Sequence, residues 1–170
     1  MPSMPKAEQP RITVKWAQTR VGPVRVTWLG ERVMRVDLNR RVRGVRPDQR
    51  LAGELEAVRK GGAVPKGLEI IERRVPEFSR RVLEVCAEIG PGMVKTYGEL
   101  AKAVGRPGAA RAVGQVLRHN PFPMLVPCHR VVGTDGRLSG FSGGLRLKER
   151  LLALEGWRFE GRGRARRIIR

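Results

Sequence analysis

The sequence predicts an α/β protein with a small N-terminal antiparallel sheet and one helix, followed by a mostly helical C-terminal part. Two observations carry this prediction. Apolar and polar residues alternate between residues 11 and 38, and apolar residues recur at helical spacing after Pro76. The 170 residues suffice for one domain or for two small ones that share an interface. We expect units at 1–75 and 76–160 and a basic tail at 161–170.

Three strands are predicted first. Their alternating apolar residues are Ile12, Val14 and Trp16, then Val24, Val26 and Trp28, then Met34, Val36 and Leu38. Turns at Gly22-Pro23 and Gly30-Glu31 indicate an antiparallel meander. A helix that ends at Gly61-Gly62 follows, and residues 68–71 are expected to add a short strand. The apolar face of that helix carries Leu51, Leu55 and Val58.

Three helices are predicted next, over residues 76–89, 96–104 and 109–119. Thr96 and Glu99 have the spacing of a capping box, which marks the start of the second helix. Gly105-Arg106-Pro107-Gly108 separates the second helix from the third by a tight break, as in a helix-turn-helix. Cys86 lies on the apolar side of the first helix and is interpreted as a core residue.

The C-terminal part continues with a turn and a fourth helix. Asp135-Gly136 is a hairpin signal between Val131-Val132 and Arg137-Leu138, and this hairpin is expected to form a wing. The helix ends at Gly156 and carries Leu147, Leu151 and Leu154. The predicted fold class is therefore α/β, with a winged helix-turn-helix domain at the C-terminus.

The charge of the chain is strongly positive. Lys and Arg number 35 against 16 Asp and Glu, a net charge of +19 that favours a polyanionic partner such as nucleic acid. An acidic membrane surface is the rival, but no basic amphipathic helix with a broad aromatic face is apparent. No apolar run has the length of a membrane span and no signal peptide is recognisable, so we expect a cytoplasmic protein. Arginine outnumbers lysine in this chain and asparagine is rare, a composition that is typical of some heat-adapted proteins.

The last ten residues contain five arginines and no acidic residue. Two interpretations stay open for them, a solvated and frayed tail or a phosphate-binding tail.

The run Leu125-Val126-Pro127-Cys128-His129-Arg130-Val131-Val132 carries the strongest sign of chemistry. A thiolate is a strong nucleophile, and a neighbouring base or positive charge populates it. Because adjacent side chains on an extended strand point to opposite faces, a bridging water is expected to link Cys128 with His129. The two cysteines and two histidines of the chain lack the paired spacing of zinc ligands, which argues against a zinc site. An inert buried thiol and a Cys-His hydrolase remain as alternatives.

Three further residues draw attention. Glu155 is placed to orient His129, and Asn120 before Pro121 is placed to fix the turn that leads to Cys128. Arg111 stands among small residues, from Ala109 to Gln115, in the third helix. Small side chains allow either a close approach to DNA or close helix packing in the core.

Several stretches together resemble the O6-alkylguanine-DNA alkyltransferases, in order and almost without gaps from about Pro76 to Trp157. They are Thr96-Tyr97-Gly98-Glu99-Leu100-Ala101, Ala109-Ala110-Arg111-Ala112-Val113-Gly114, Asn120-Pro121, Pro127-Cys128-His129-Arg130-Val131-Val132, Ser142-Gly143-Gly144, Lys148-Glu149 and Glu155-Gly156. Residues 1–75 resemble the family only in having strands followed by a helix, which implies a ribonuclease H-like unit.

The resemblance implies direct repair of double-stranded DNA by a monomer that needs no cofactor and no metal. An alkyl group on O6 of a flipped guanine is moved irreversibly to Cys128. Glu155, His129 and a water deprotonate Cys128, Asn120 holds the turn, and Tyr97 protonates the departing guanine. Arg111 fills the vacated stack. The remaining implied contacts to DNA are Tyr97, Ala112, Gly114, Gln115 and Arg118, and those to the base are Val131, Phe141 and Ser142.

This chain departs from the family at Phe141, where many members have tyrosine, and in the absence of N-terminal cysteines that bind zinc in some relatives. Acceptance of bulky adducts or of O4-alkylthymine stays open. The alternative function is a winged-helix protein that binds lesions without chemistry.

Overall fold

The N-terminal part of the protein is a three-stranded sheet covered by one helix. The computed structural model describes residues 11–62 and 75–169. Strands β1 (Ile12–Thr19), β2 (Gly22–Leu29) and β3 (Arg32–Leu38) pair antiparallel in the order 1-2-3, as predicted. Helix α1 (Gln49–Arg59) starts at Asp48, whose side chain accepts a hydrogen bond from the Leu51 amide, and buries Leu51, Leu55 and Val58. The strand expected at 68–71 lies outside the described residues.

The core face of the sheet differs from the predicted alternation in two places. In β1 Ala17 joins the main core, so Ile12 and Val14 lie on the opposite face and are exposed. Trp16 lies on that opposite face but is buried, and its indole nitrogen donates to the Val45 carbonyl. In β3 a bulge opposite Thr27 and Trp28 shifts the register, so Val33 is buried instead of Met34.

Three helices follow within one residue or two of their predicted bounds. They are α2 (Glu77–Ala87), α3 (Tyr97–Ala103) and α4 (Ala110–Arg118). The capping box at the start of α3 is confirmed: the Thr96 hydroxyl accepts from the Glu99 amide, and the Glu99 carboxylate accepts from the Thr96 amide. Helices α2, α3 and α4 pack against one another.

The segment around the Cys-His pair is not the extended strand that the sequence indicated. Cys128–Arg130 is a single turn of 3-10 helix, because the Arg130 amide reaches back to the Pro127 carbonyl. Strand β5 (Val131–Val132) then pairs parallel with β4 (Lys95–Thr96). The predicted turn exists, with the Gly133 amide donating to the Arg137 carbonyl, but its two flanks do not form a hairpin ladder.

Helix α5 (Leu145–Leu154) ends where the sequence predicted, with Gly156 at φ +93°. Leu147 and Leu151 are buried, whereas Leu154 is exposed, contrary to its predicted place on the apolar face. Strands β6 (Arg158–Glu160) and β7 (Arg167–Ile169) then pair as a hairpin. The frayed interpretation of the basic C-terminus is therefore wrong for residues up to 169.

One continuous cluster of buried side chains joins the sheet, α1 and helices α2 to α5. A second, smaller cluster lies beneath the C-terminal hairpin. Within residues 11–62 and 75–169, no helix is long and apolar enough to cross a membrane.

Candidate active site

Cys128 is buried beside Asn120, which also fixes the chain around it. The Asn120 amide nitrogen lies 3.2 Å from the Cys128 sulfur and donates to the Val126 carbonyl at 2.9 Å. Its Oδ1 accepts from the Phe122 amide at 2.9 Å. One side chain thus closes the turn between α4 and Cys128 and places a hydrogen-bond donor on the thiol.

His129 is held by Glu155. The His129 Nε2 lies 3.0 Å from Glu155 Oε1, and each side chain is 1% exposed. Arg130 donates to the same carboxylate through Nε and Nη2, the latter at 2.8 Å. The Gly92 amide donates to Glu155 Oε2 at 3.2 Å. Glu155 is therefore a fully paired buried carboxylate.

Arg130 connects this carboxylate to the rest of the protein. Its guanidinium donates to the Ile89 carbonyl at 2.5 Å and to the Arg59 carbonyl, at the end of α1, at 3.1 Å. The N-terminal unit is thereby tied to the site by a hydrogen bond as well as by packing.

The protonation states of His129 and Glu155 follow from their surroundings. Burial alone would raise the pKa of Glu155, but the hydrogen bonds from His129 and Arg130 outweigh burial and hold that pKa at about 2. Burial lowers the pKa of His129 by more than Glu155 raises it, so the imidazole is neutral at pH 7. An ionised carboxylate only accepts, so Nε2 carries the proton and Nδ1 offers its lone pair. Nδ1 is buried and has no protein partner among the described residues.

The Cys128 thiol is protonated at rest. Burial raises its pKa, and the hydrogen bond from Asn120 and the nearby charge of Lys148 only partly offset this. A base must therefore remove the proton before the sulfur can act as a nucleophile.

Lys148 is a site residue that the sequence analysis did not identify. It is fully buried in α5, and its Nζ donates to the Val131 carbonyl at 2.5 Å and to the Ser139 carbonyl at 2.8 Å. Burial lowers the pKa of Lys148 to about 8. The signal was present in the helical spacing, since Lys148 precedes the buried Leu151 and Leu152 by three and four residues.

Tyr97 lies at the start of α3 and spans the gap to the loop after β5. Its hydroxyl is 3.0 Å from the Ser139 carbonyl oxygen and 3.2 Å from that of Gly140. The Lys148 Nζ lies 5.8 Å from the centre of its ring. A Cβ atom added to Gly114 would lie 3.8 Å from that ring, so α4 passes close to Tyr97.

Helix α4 presents the predicted DNA-contacting residues on its outer side, while Val113 and Leu117 face the core. Arg111, Ala112, Gln115 and Arg118 are exposed, and Gly114 is half-buried. No described contact joins Arg111 to Cys128, so this part of the predicted site lies apart from the thiol.

The predicted base-contacting residues are only partly assembled. Phe141 and Ser142 line a cavity of about 540 Å³ together with Arg118 and His119. Val131 is fully buried and is not one of the residues that line this cavity. Over the described ranges, no three His, Cys, Asp or Glu side chains are grouped to hold a metal ion.

Known proteins resemble this chain chiefly in its C-terminal part. The family model of the 6-O-methylguanine DNA methyltransferase DNA binding domain matches residues 77–157. A methylated-DNA--protein-cysteine methyltransferase of Mycolicibacterium paratuberculosis is 51% identical over 85 residues, which are 50% of this chain and 52% of that protein. The chain spans about half the length of the curated relatives it matches.

Solved structures are similar over much more of the chain. Mycobacterium tuberculosis OGT in complex with DNA has a TM-score of 0.68 and 34% identity, with 84% of this chain and 91% of that chain covered. The O6-methylguanine-DNA methyltransferase of Pyrococcus kodakaraensis has a TM-score of 0.64 and 28% identity, covering 85% and 99%. The sequence and fold matches define one class of protein, the DNA alkyltransferases of the O6 position of guanine. The chain belongs to the 6-O-methylguanine DNA methyltransferase family.

Proposed function

We propose that this protein repairs O6-alkylguanine in double-stranded DNA by moving the alkyl group to the sulfur of Cys128. The observation that carries this proposal is the arrangement of a buried thiol next to a neutral histidine with a free Nδ1 and an ionised glutamate behind it. The three residues have the roles of a catalytic triad: nucleophile, general base and orienting carboxylate. Here the nucleophile retains the alkyl group that it receives.

The first step makes the thiolate. A water between Cys128 and His129 passes the thiol proton to Nδ1, and the resulting imidazolium is stabilised by Glu155 at 3.0 Å. The Asn120 amide donates to the sulfur and so stabilises the negative charge that forms there. Because the thiol pKa is raised, this relay supplies the nucleophile at neutral pH.

The second step transfers the alkyl group. The sulfur attacks the alkyl carbon, a carbon–sulfur bond forms, and the bond from that carbon to O6 breaks with its electron pair on the guanine. The Tyr97 hydroxyl protonates the departing guanine and then regains a proton that derives from the thiol. The thioether has no route back to a thiol, so each protein molecule repairs one lesion without a cofactor.

The DNA is held by the C-terminal unit, residues 76–160, acting as a winged helix-turn-helix domain, with residues 1–75 as its support. The outer face of α4 follows the groove through Ala112, Gly114, Gln115 and Arg118, and Arg111 enters the stack as the guanine leaves it. The net charge of +19 supplies the attraction to phosphates. A monomer is sufficient for this arrangement.

The flipped base is received beside Phe141 and Ser142, and the backbone around Val131 contacts its edge. Phe141 brings no hydroxyl to the rim of the pocket, which leaves room for an apolar edge such as that of O4-alkylthymine. We therefore include O4-alkylthymine among the substrates.

Cys128→Ala provides the test. The variant should bind a duplex that contains O6-methylguanine as tightly as the unchanged protein and should transfer nothing. Cys86→Ala is the matched control, since Cys86 is also buried, and it should transfer normally. Transfer by Cys128→Ala would overturn the assignment of the nucleophile. Binding without transfer by the unchanged protein would favour a lesion-binding protein without chemistry.

A further inference from the structure

We propose that the hairpin of β6 and β7 is a second DNA-contacting element, which binds phosphates of the duplex beside the segment held by α4. This inference rests on the proposed function, because it takes DNA as the partner of the α4 face. It adds a contact surface that lies after residue 157, where the match to the family's DNA binding domain ends.

The hairpin is fixed to the site by backbone hydrogen bonds. The Leu138 amide donates to the Arg166 carbonyl at 2.9 Å, and the Ile168 amide donates to the Gly136 carbonyl at 3.0 Å. Arg137 pairs antiparallel with Arg167 as an isolated bridge. The segment after the 133–136 turn therefore pairs with β7 at a single position.

Apolar packing holds the same element in place. Phe159 and Ile168, which are directly opposite each other in the hairpin, pack against Val132, Leu138 and Leu152. Arg166 lies 5.4 Å from the centre of the Phe159 ring and forms an ion pair with Glu149 of α5. A surface element anchored in this way presents its outer side chains in a defined arrangement.

The exposed side chains of the described part of the hairpin include Arg158, Arg162 and Arg167. Residues 158–170 contain six arginines and one glutamate. Arg137 and Arg167 are directly opposite each other across two strands, a like-charge pair that is unfavourable by itself. Asp135 and Glu160 neutralise one arginine each, whereas Arg158 and Arg162 are exposed and have no acidic partner among the described residues. This excess positive charge suits a polyanion.

The hairpin lies close to the proposed lesion site. Leu138 contacts the hairpin, and the next residue, Ser139, accepts from the Tyr97 hydroxyl. The segment that holds the hairpin is therefore continuous with the segment that holds Tyr97. Because Arg158 and Arg162 are exposed on this hairpin, they are the side chains that we assign to phosphates beside the segment held by α4.

The experiment compares two double variants of the full chain. Arg158→Gln with Arg162→Gln removes the unpaired charges of the hairpin. Arg20→Gln with Lys60→Gln is the control, because it removes two exposed charges from the β1–β2 turn and the end of α1. Affinity for an unmodified duplex of about two helical turns is measured between low and moderate salt, together with the thermal unfolding midpoint.

The hairpin variant should lower the slope of log affinity against log salt by about 1.8, since each lost phosphate contact removes about 0.9. The control should change this slope by much less, and both variants should unfold at the wild-type temperature. Arg158→Lys with Arg162→Lys should restore the slope. An unchanged slope in the glutamine variant, or an equal fall in both variants, would overturn the inference.

Alkyl transfer at saturating DNA distinguishes this inference from the proposed function. The control variant, Arg20→Gln with Lys60→Gln, should transfer at the wild-type rate, because its two charges lie outside the proposed DNA-contacting surface. If the unchanged protein transfers nothing, the proposed function fails whatever the salt slope shows.

Discussion

The Nε2 atom of His129 lies 3.0 Å from Oε1 of Glu155, and Arg130 donates two hydrogen bonds to the same carboxylate. Glu155 therefore serves two neighbours at once. It fixes the His129 tautomer that leaves Nδ1 free, and it neutralises a buried guanidinium.

Replacement of Glu155 by Gln should reduce both transfer and stability. The imidazolium that forms during transfer loses its counter-charge, and Arg130 is left as a buried charge without a partner. Loss of one partner of a buried ion pair costs about 3 kcal/mol of unfolding free energy. Denaturant unfolding and single-turnover transfer measure the two effects, and an unfolding free energy equal to that of the wild type would contradict this account of the pair.

A fall in pH should destabilise the folded protein through the protonation of Glu155. The pKa of Glu155 is held at about 2 in the folded state, against about 4.3 in an unfolded chain. The depressed pKa adds stability that is fully present above about pH 4.3 and is lost as the pH falls toward 2. Its size is about 3 kcal/mol. The free energy of unfolding, measured from pH 5 to pH 2, should therefore fall less in Glu155→Gln than in the wild type. If the two proteins lose the same free energy over this range, the depressed pKa of Glu155 does not contribute to stability.

Transfer should depend on pH through His129. The neutral imidazole is the base, and burial keeps its pKa below the ordinary value of about 6.5. The wild-type rate at saturating DNA should therefore stay level from about pH 8 down to pH 6.5. In His129→Gln the thiolate forms only by free ionisation of Cys128, so the rate should rise about tenfold for each pH unit. A level profile in this variant would remove His129 from the relay.

Lys148 should position the base pocket. Its amine holds the carbonyls of Val131 and Ser139 together, and Lys148→Met removes this donor from the Val131 oxygen and leaves the Ser139 oxygen with the Tyr97 hydroxyl only. Each unpaired group costs about 1–3 kcal/mol. Transfer from O6-methylguanine in DNA should fall because the affinity for the flipped base is weaker, whereas affinity for undamaged duplex should stay unchanged. Lys102→Met, at the exposed end of α3, is the control, and equal losses in both variants would count against a positioning role.

The sequence predicted much of the local structure, because its signals are local. The capping box of Thr96 and Glu99 and the glycine after α5 depend on neighbouring residues only, and both were found where expected. The shift of register in β3 and the exposed Ile12 were missed, since a bulge and the choice of the buried face depend on what packs against the sheet.

The candidate site was likewise predicted in part from the sequence. Asn120, Cys128, His129 and Glu155 stand out in the sequence, and the structure brings Asn120 to Cys128 and Glu155 to His129. The 3-10 turn at Cys128 and the buried Lys148 were not anticipated, because each depends on carbonyl groups from distant segments. The docked C-terminal hairpin likewise depends on contacts with the 136–138 segment.

The most direct measurement of the central claim is the mass of the protein after reaction with a duplex that contains O6-methylguanine, followed by peptide mapping. One methyl group should be gained for each protein molecule, it should lie on Cys128, and added lesions beyond one equivalent should stay unrepaired. A methyl group on Cys86, turnover beyond one equivalent, or no gain in mass would contradict the account.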